Sequence, residues 1–400
     1  MEIQGTVADG YERVREAFAA NFDRRGERGA AFALYRGGRA VVDLWGGSAD
    51  GDGRAPADGG TPWAEDTAQL LHSATKGLSS AVLMLLVERG LLELDAPVGD
   101  YWPQFKASAK DKVTVRQLLS HQAGLPALDV PLSAARAVDG VSGPRSVAEQ
   151  RPLWEPGSAH GYHPHTFSWL TGELVHRATG RTLGTVLAED VAGPLGLDLW
   201  IGLPPEQRHR VGRLAAVEPP PAAPGGGLRF RPRREVAEAY ADPGSLTRRA
   251  FGAVDPAPDE NTDAWHRAEL PGANGIATAR ALARCYAALI GDVDGARRLL
   301  RPDTLAAATA EQVSGPDRVL IAHTRFGLGF MLHGPASPMT SPAAFGHPGR
   351  GGSLGFADPG LGIGFGYVTN GMQPTVVNDP RAQALIRAVR ECLADQPLLG

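Results

Sequence analysis

The sequence predicts an α/β (α+β) fold in which both chain ends build one antiparallel sheet and the middle folds mostly as helices. Three observations carry this. The first fifty residues hold one amphipathic helix and a hairpin. The last eighty hold strand-like runs and a second amphipathic helix. Between them, residues 73–200 and 273–315 repeat their apolar positions with helical spacing.

Each element has a local reason. Val7, Tyr11, Val14, Phe18 and Phe22 recur at steps of three and four, which predicts a helix with one buried face. AAFALY and AVVDLWGG are apolar runs joined by RGGR, the pattern of an antiparallel hairpin. FGLGFML, GGSLGFA and GIGFGYVTN predict three more strands. Ala382, Leu385, Ile386, Val389 and Leu393 then form a closing helical face. The expected assembly puts the two terminal helices on one face of a shared sheet. Residues 1–75 and 316–400 would form this discontinuous sheet domain, and 76–315 a mostly helical one. PPPAAPGGG at 219–227 cannot build a core and is expected to be a loop or linker. The Arg-rich LRFRPRR that follows reads as a solvated basic loop.

Composition excludes several classes. The 40 Lys+Arg against 44 Asp+Glu give a net charge of −4, so no nucleic acid is expected as a partner. The longest wholly apolar run, Ala81 to Val87, is too short to span a bilayer. The N-terminal stretch has neither a basic n-region nor an apolar h-region, so a cytoplasmic protein is expected. Cys285 and Cys392 sit in helical apolar patterns and provide neither a disulfide framework nor a cysteine-built zinc site. His160, His163 and His165 cluster without a carboxylate or cysteine at ligand spacing, so no metal and no cofactor is expected. Lysine occurs only at Lys76, Lys106, Lys110 and Lys112; every other basic residue is Arg. Lys106, Lys110 and Lys112 fall together in a polar stretch that reads as surface. Lys76 stands alone.

Lys76 closes Ser73-Ala74-Thr75-Lys76, which runs straight into a strongly apolar helix. Residues three apart share a helix face, so Ser73 Oγ and Lys76 Nζ would point the same way. A serine hydroxyl is a poor nucleophile until a neighbour takes its proton. A desolvated lysine can do so, because burial lowers its pKa. An N-capping Ser with an exposed Lys would give the same spacing, but the helix that follows is apolar almost all round, as a central buried helix is. Tyr162, in the Pro/Gly-rich loop 154–164, is a candidate base or proton shuttle whose pKa a nearby ammonium would lower. His347 heads a Gly-rich strand edge, Phe345 to Ser353, and could supply a hydrogen bond or a positive charge. The backbone N–H groups of Ser73 and Arg350 are candidate oxyanion donors.

Taken in this order, the motifs resemble the serine β-lactamase and penicillin-binding-protein superfamily, in its class C-like branch and nearest the family VIII carboxylesterases. There Ser-x-x-Lys opens the central helix, a Tyr motif follows, and Lys-Thr-Gly or His-x-Gly lies on the edge strand. Ser73, Lys76, Tyr162 and His347-Pro348-Gly349 match in turn. Thr61-Pro62-Trp63, Leu118 to Pro126, Pro194 to Leu197 and Gly352 to Pro359 extend the likeness over roughly residues 10–395. The resemblance implies a covalent acyl-Ser73 intermediate, with substrate contacts from Gly349, Gly351, Trp154, Gln122 and His163. Two departures bear on the substrate. Pro164 stands where an Asn would help hold a β-lactam side chain, and His347 replaces the lysine cation. The expected activity is hydrolysis of small carboxylic esters. The alternatives are a transacylase or cyclising thioesterase, and a weak β-lactamase or D-amino-acid peptide or amide hydrolase. A non-catalytic binding protein on this fold would be expected to have lost Ser73, Lys76 or Tyr162; all three stand. Oligomeric state is not legible.

Overall fold

In the computed structural model, which describes residues 2–50, 59–217 and 234–395, nine of the strands form one antiparallel sheet. They are β1 (Ile3–Val7), β2 (Gly29–Arg36), β3 (Arg39–Gly47), β4 (Val313–Pro316), β5 (His323–Phe326), β6 (Met331–Leu332), β7 (Phe345–Pro348), β8 (Leu354–Asp358) and β9 (Ile363–Thr369). Their spatial order is β1-β3-β2-β9-β8-β7-β6-β5-β4. The chain ends meet where β9 pairs with β2, from Thr369 opposite Ala30 to Ile363 opposite Arg36. The β2–β3 hairpin turns through Gly37 and Gly38, with φ of 54° and 77°. Two successive left-handed residues match the right-handed twist of a two-residue hairpin.

Five of the helices position the rest: α1 (Glu12–Arg24), α2 (Thr75–Glu88), α3 (Thr166–Thr179), α4 (Ala279–Ile290) and α5 (Pro380–Ala394). As the sequence predicts, α1 and α5 share one face of the sheet. Val14, Phe18, Leu385 and Val389 pack there on Phe32, Leu34, Phe356 and Phe365. The opposite face carries α4. Alternation along β9 sends Phe365 and Tyr367 to the terminal helices and leaves Gly364 and Gly366 under α4. A Cβ on Gly364 would stand 2.4 Å from Ala283 O, and one on Gly366 2.4 Å from Ala279 O. The helix backbone thus lies directly on the strand. Gly364→Ala should destabilise by about 1–3 kcal/mol, the usual cost of overpacking, read as a lower urea midpoint with unchanged slope.

Four expectations need correction. Val7 belongs to β1, opposite Val42, and the helix begins only at Glu12. Gly10, with φ of 86°, breaks the apparent helical run. FGLGFML is two strands, because a Cβ on Gly329 (φ 76°) would meet Ser80 Oγ at 2.1 Å and the chain bends there against α2. The boundary at 315/316 falls too late, since α4 and β4 belong with the sheet. Lys110 is not on the surface. It is buried, its Nζ donates to Ala107 O at 2.8 Å and Gln150 O at 2.6 Å, and burial pushes its pKa down to about 8. The run at 219–227 and the Arg-rich stretch after it, as far as residue 233, lie outside the described residues.

Helix α2 runs through the main core, with its residues from Thr75 to Leu86 all buried. Two of its hydroxyls, on Ser79 and Thr75, are satisfied by the segment that enters β-pairing at Ile276–Ala277, and Ser80 Oγ donates to Lys76 O within the helix. Ser79 Oγ donates to Pro271 O, and Thr75 Oγ1 accepts from Gly275 N at 2.8 Å. Burying these polar groups is tolerable because each is paired. Among the described residues no helix is long and apolar enough to cross a membrane.

Candidate active site

Ser73 lies in a single 3-10 turn, His72–Ala74, immediately before α2. His72 has φ of 48°, a left-handed conformation that a non-glycine residue adopts only when its surroundings hold it there. One helical step on, Lys76 is wholly buried. Its Nζ donates to Gly272 O at 2.7 Å and Pro164 O at 2.9 Å, and stands 3.4 Å from Ser73 Oγ. Aromatic rings of Tyr162 and Phe167 flank it, with centroids at 4.8 and 5.4 Å. Among the described residues, its hydrogen-bond partners are a hydroxyl and two carbonyls, and no carboxylate pairs with it. Burial alone drives its pKa well below the ordinary lysine value. A neutral amine has two N–H groups and one lone pair. The two carbonyls take the donors, which leaves the lone pair for the serine hydroxyl.

Three buried side chains fix the loop that presents Tyr162. Both carboxylate oxygens of Asp317 accept from Tyr162 N–H, at 3.0 and 3.1 Å. His121 Nδ1 accepts from His163 N–H at 3.2 Å. His163 Nδ1 donates to Gly161 O at 2.7 Å while its Nε2 accepts from Leu125 N–H at 3.1 Å. Tyr162 stacks on Phe326 and lies 5.8 Å, ring to ring, from His347. Its hydroxyl makes no hydrogen bond of good geometry among the described residues, yet Ser73 is near enough to favour the ionised phenol. Burial outweighs that and raises the pKa far above the usual tyrosine value. The expected lowering by a neighbouring ammonium is therefore reversed. The same burial that raises the phenol's pKa lowers that of Lys76.

His347 is buried on β7, and burial, with Lys76 adding, pushes its pKa down to about 3. It supplies no positive charge near neutrality, contrary to one of the two expectations for it. Its Nδ1 donates to Pro348 O at 2.8 Å, so the neutral ring presents Nε2 as an acceptor. That nitrogen has no partner among the described residues. His347→Gln should leave the acid limb of the pH–rate profile in place, because His347 does not titrate between pH 5 and 8. Disappearance of that limb in the variant would assign it to the imidazole.

The substrate-contact expectations fare differently. Trp154 is buried with its ring edge-on to His163 and the Arg318 guanidinium 5.2 Å above it. Gln122 Nε2 donates to Ser120 Oγ at 2.7 Å, within its own loop. His163 uses both ring nitrogens on backbone, so it is a scaffold for Tyr162 and no free ligand. A Cβ on Gly349 would meet Leu71 O at 2.2 Å, and one on Gly351 (φ 87°) would meet Met372 at 2.3 Å. In the direction a side chain would take, these glycines admit the protein's own chain beside the serine turn. The backbone amides of Ser73 and Arg350 donate to no backbone carbonyl among the described residues, as oxyanion donors require.

Two carboxylates that sequence reasoning passed over hold this geometry. Asp317, beyond fixing Tyr162, accepts from Val319 N–H and Leu320 N–H. Glu260 accepts from both His72 and Arg350. Asp317 reads in sequence as an ordinary turn residue in SGPDRVL, and Glu260 as one more acid in a loop. No group of three or more His, Cys, Asp or Glu among the described residues could hold a metal ion.

A serine within 3.4 Å of a buried lysine amine, with a tyrosine beside them on this sheet-and-helix frame, is the arrangement of an enzyme of the serine hydrolase superfamily. The chain belongs to the Beta-lactamase family, which it matches over residues 14–389. It is 36% identical to the esterase/beta-lactamase LipL of Mycobacterium tuberculosis over 386 residues, 94% of this chain and 85% of that protein. A crystal structure of a family VIII carboxylesterase superposes with a TM-score of 0.85 at 38% identity, covering 98% of this chain and all of the other. A penicillin-binding-protein homologue from Caulobacter crescentus gives a TM-score of 0.83 at 40% identity, again over 98% and 100% of the two chains.

Proposed function

We propose that the protein hydrolyses small carboxylic esters through an acyl-Ser73 intermediate. The observation that carries this is the buried Lys76 amine, both of whose donors are occupied by carbonyls and whose remaining direction faces Ser73 Oγ. Neutral Lys76 takes the Ser73 proton as Oγ attacks the ester carbonyl. The backbone N–H groups of Ser73 and Arg350 stabilise the oxyanion. When the tetrahedral species collapses, Tyr162 gives its phenolic proton to the departing alkoxide and receives the proton held on Lys76. Water then attacks the acyl-serine, its proton passing by the same two groups in reverse, and the acid is released. Tyr162 is thus a relay between neutral states, which suits a phenol whose ionisation burial opposes.

The substrate side follows from what is missing. Pro164 offers a carbonyl that Lys76 already uses and no side-chain amide, and His347 is neutral. Both argue against tight β-lactam recognition and for esters without a carboxylate handle. Cytoplasmic residence remains part of the proposal, supported by two cysteines that are free and buried.

Intact-protein mass spectrometry after mixing with a panel of p-nitrophenyl esters tests the reading. The expected result is a transient mass gain of one acyl group on Ser73, followed by free acid. An acyl-enzyme that persists in water and discharges only onto an added amine or alcohol would make the protein a transacylase. No mass gain with any ester would sink the proposal.

A further inference from the structure

The oxyanion donors assigned above belong to chain segments from opposite ends of the sequence, and a third segment ties them. Glu260 Oε2 accepts from His72 Nε2 at 3.2 Å and also from Arg350 Nη2. His72 immediately precedes Ser73 and holds the strained φ of 48°. Arg350 carries the other donor amide. We infer that Glu260 is a positioning residue that sets the spacing of the two oxyanion amides by anchoring both flanking side chains on a single carboxylate oxygen. The inference rests on the proposed acyl-serine chemistry and assigns a new residue to it.

The anchor is itself rigid. Glu260 O accepts from His266 Nε2 at 2.9 Å. Next to it, Asn261 Oδ1 accepts from Leu214 N–H at 2.8 Å and its Nδ2 donates to Leu214 O at 3.0 Å. Thr262 caps the short helix Asp263–Arg267 through its side chain. The same stretch continues to Gly272, whose carbonyl holds Lys76. One segment therefore holds both the base and the oxyanion site. The carboxylate keeps its charge across the working range. Burial would raise its pKa, but His72 and Arg350 outweigh this and hold it at about 2. Arg350 is half exposed, so without Glu260 its side chain has solvent to swing into.

The test uses the full-length protein in three forms: wild type, Glu260→Gln, which keeps shape and loses charge, and Glu260→Ala. Steady-state hydrolysis of p-nitrophenyl butyrate, affinity for a boronic acid that forms a tetrahedral adduct on Ser73, and thermal melting are measured together. Removing one oxyanion donor outright costs about 10²–10³ in kcat, so displacing the pair through Glu260→Ala should cost about 10–100-fold. KM should change little, and boronate affinity should fall by about the same factor as kcat. Glu260→Gln should fall between the two. A purely structural role would lower the melting temperature with kcat and boronate affinity of the folded fraction intact, and that result overturns the inference. So does a rise in KM at unchanged kcat. Wild type that neither hydrolyses the ester nor takes the boronate would remove the esterase reading itself, which is a separate outcome from active wild type with equally active variants.

Discussion

Ser73→Ala is expected to abolish turnover, with kcat falling on the order of 10⁵–10⁶-fold. The reason is geometric. In the proposed mechanism Lys76 and Tyr162 move protons, and the group that forms the bond to carbon is Ser73 Oγ at the head of α2. The fold should survive, because Ser73 sits on a short turn whose backbone bonds to Leu71 and Thr75 do not involve its hydroxyl. A fluorophosphonate probe with in-gel fluorescence checks it. Wild type should label and Ser73→Ala should stay dark at equal melting temperature. Persistent labelling would place the nucleophile elsewhere.

Lys76→Arg is expected to be almost as damaging, about 10²–10⁴-fold in kcat, though it keeps a long basic side chain. Arg stays protonated and has no lone pair to offer Ser73. Wild type should lose activity as pH falls, because acid protonates the amine. The sign follows from the direction of the shift. Burial lowers the Lys76 pKa, so its neutral form, and with it the rate, rises through a midpoint well below the ordinary lysine value and then levels. A pH profile of kcat/KM reads this directly. An Arg variant with wild-type rates, or a profile flat toward acid, would show that Lys76 is not the base.

Much of this was legible in the sequence, for a reason particular residues make plain. Ser73 and Lys76 are three apart at the head of a helix, so local geometry alone brings them together. The isolation of Lys76 in an Arg-rich chain singled out the position that the proposed mechanism gives to a base able to lose its proton. The terminal helices and most strands followed from apolar periods of 3.6 and 2, which are also local. The failures were failures of context. Lys110 lies in a polar run with Lys106 and Lys112, and nothing nearby in sequence announces that Ala107 and Gln150 carbonyls will bury it. Nothing local in the sequence shows that Leu71 and Met372 lie where side chains on Gly349 and Gly351 would go.

The sequence by itself determined the class of fold, and it pointed to the proposed nucleophile, its lysine and the tyrosine, because each is encoded in spacing or in an order of motifs. Tertiary structure decided their protonation. The lowered pKa of Lys76, the raised pKa of Tyr162 and the uncharged His347 all follow from burial, which is the sum of distant segments closing over a site. Asp317 and Glu260 have no local signature for the same reason. A carboxylate in a loop becomes a fixed anchor only when Tyr162, His72 and Arg350 arrive from elsewhere in the chain to donate to it.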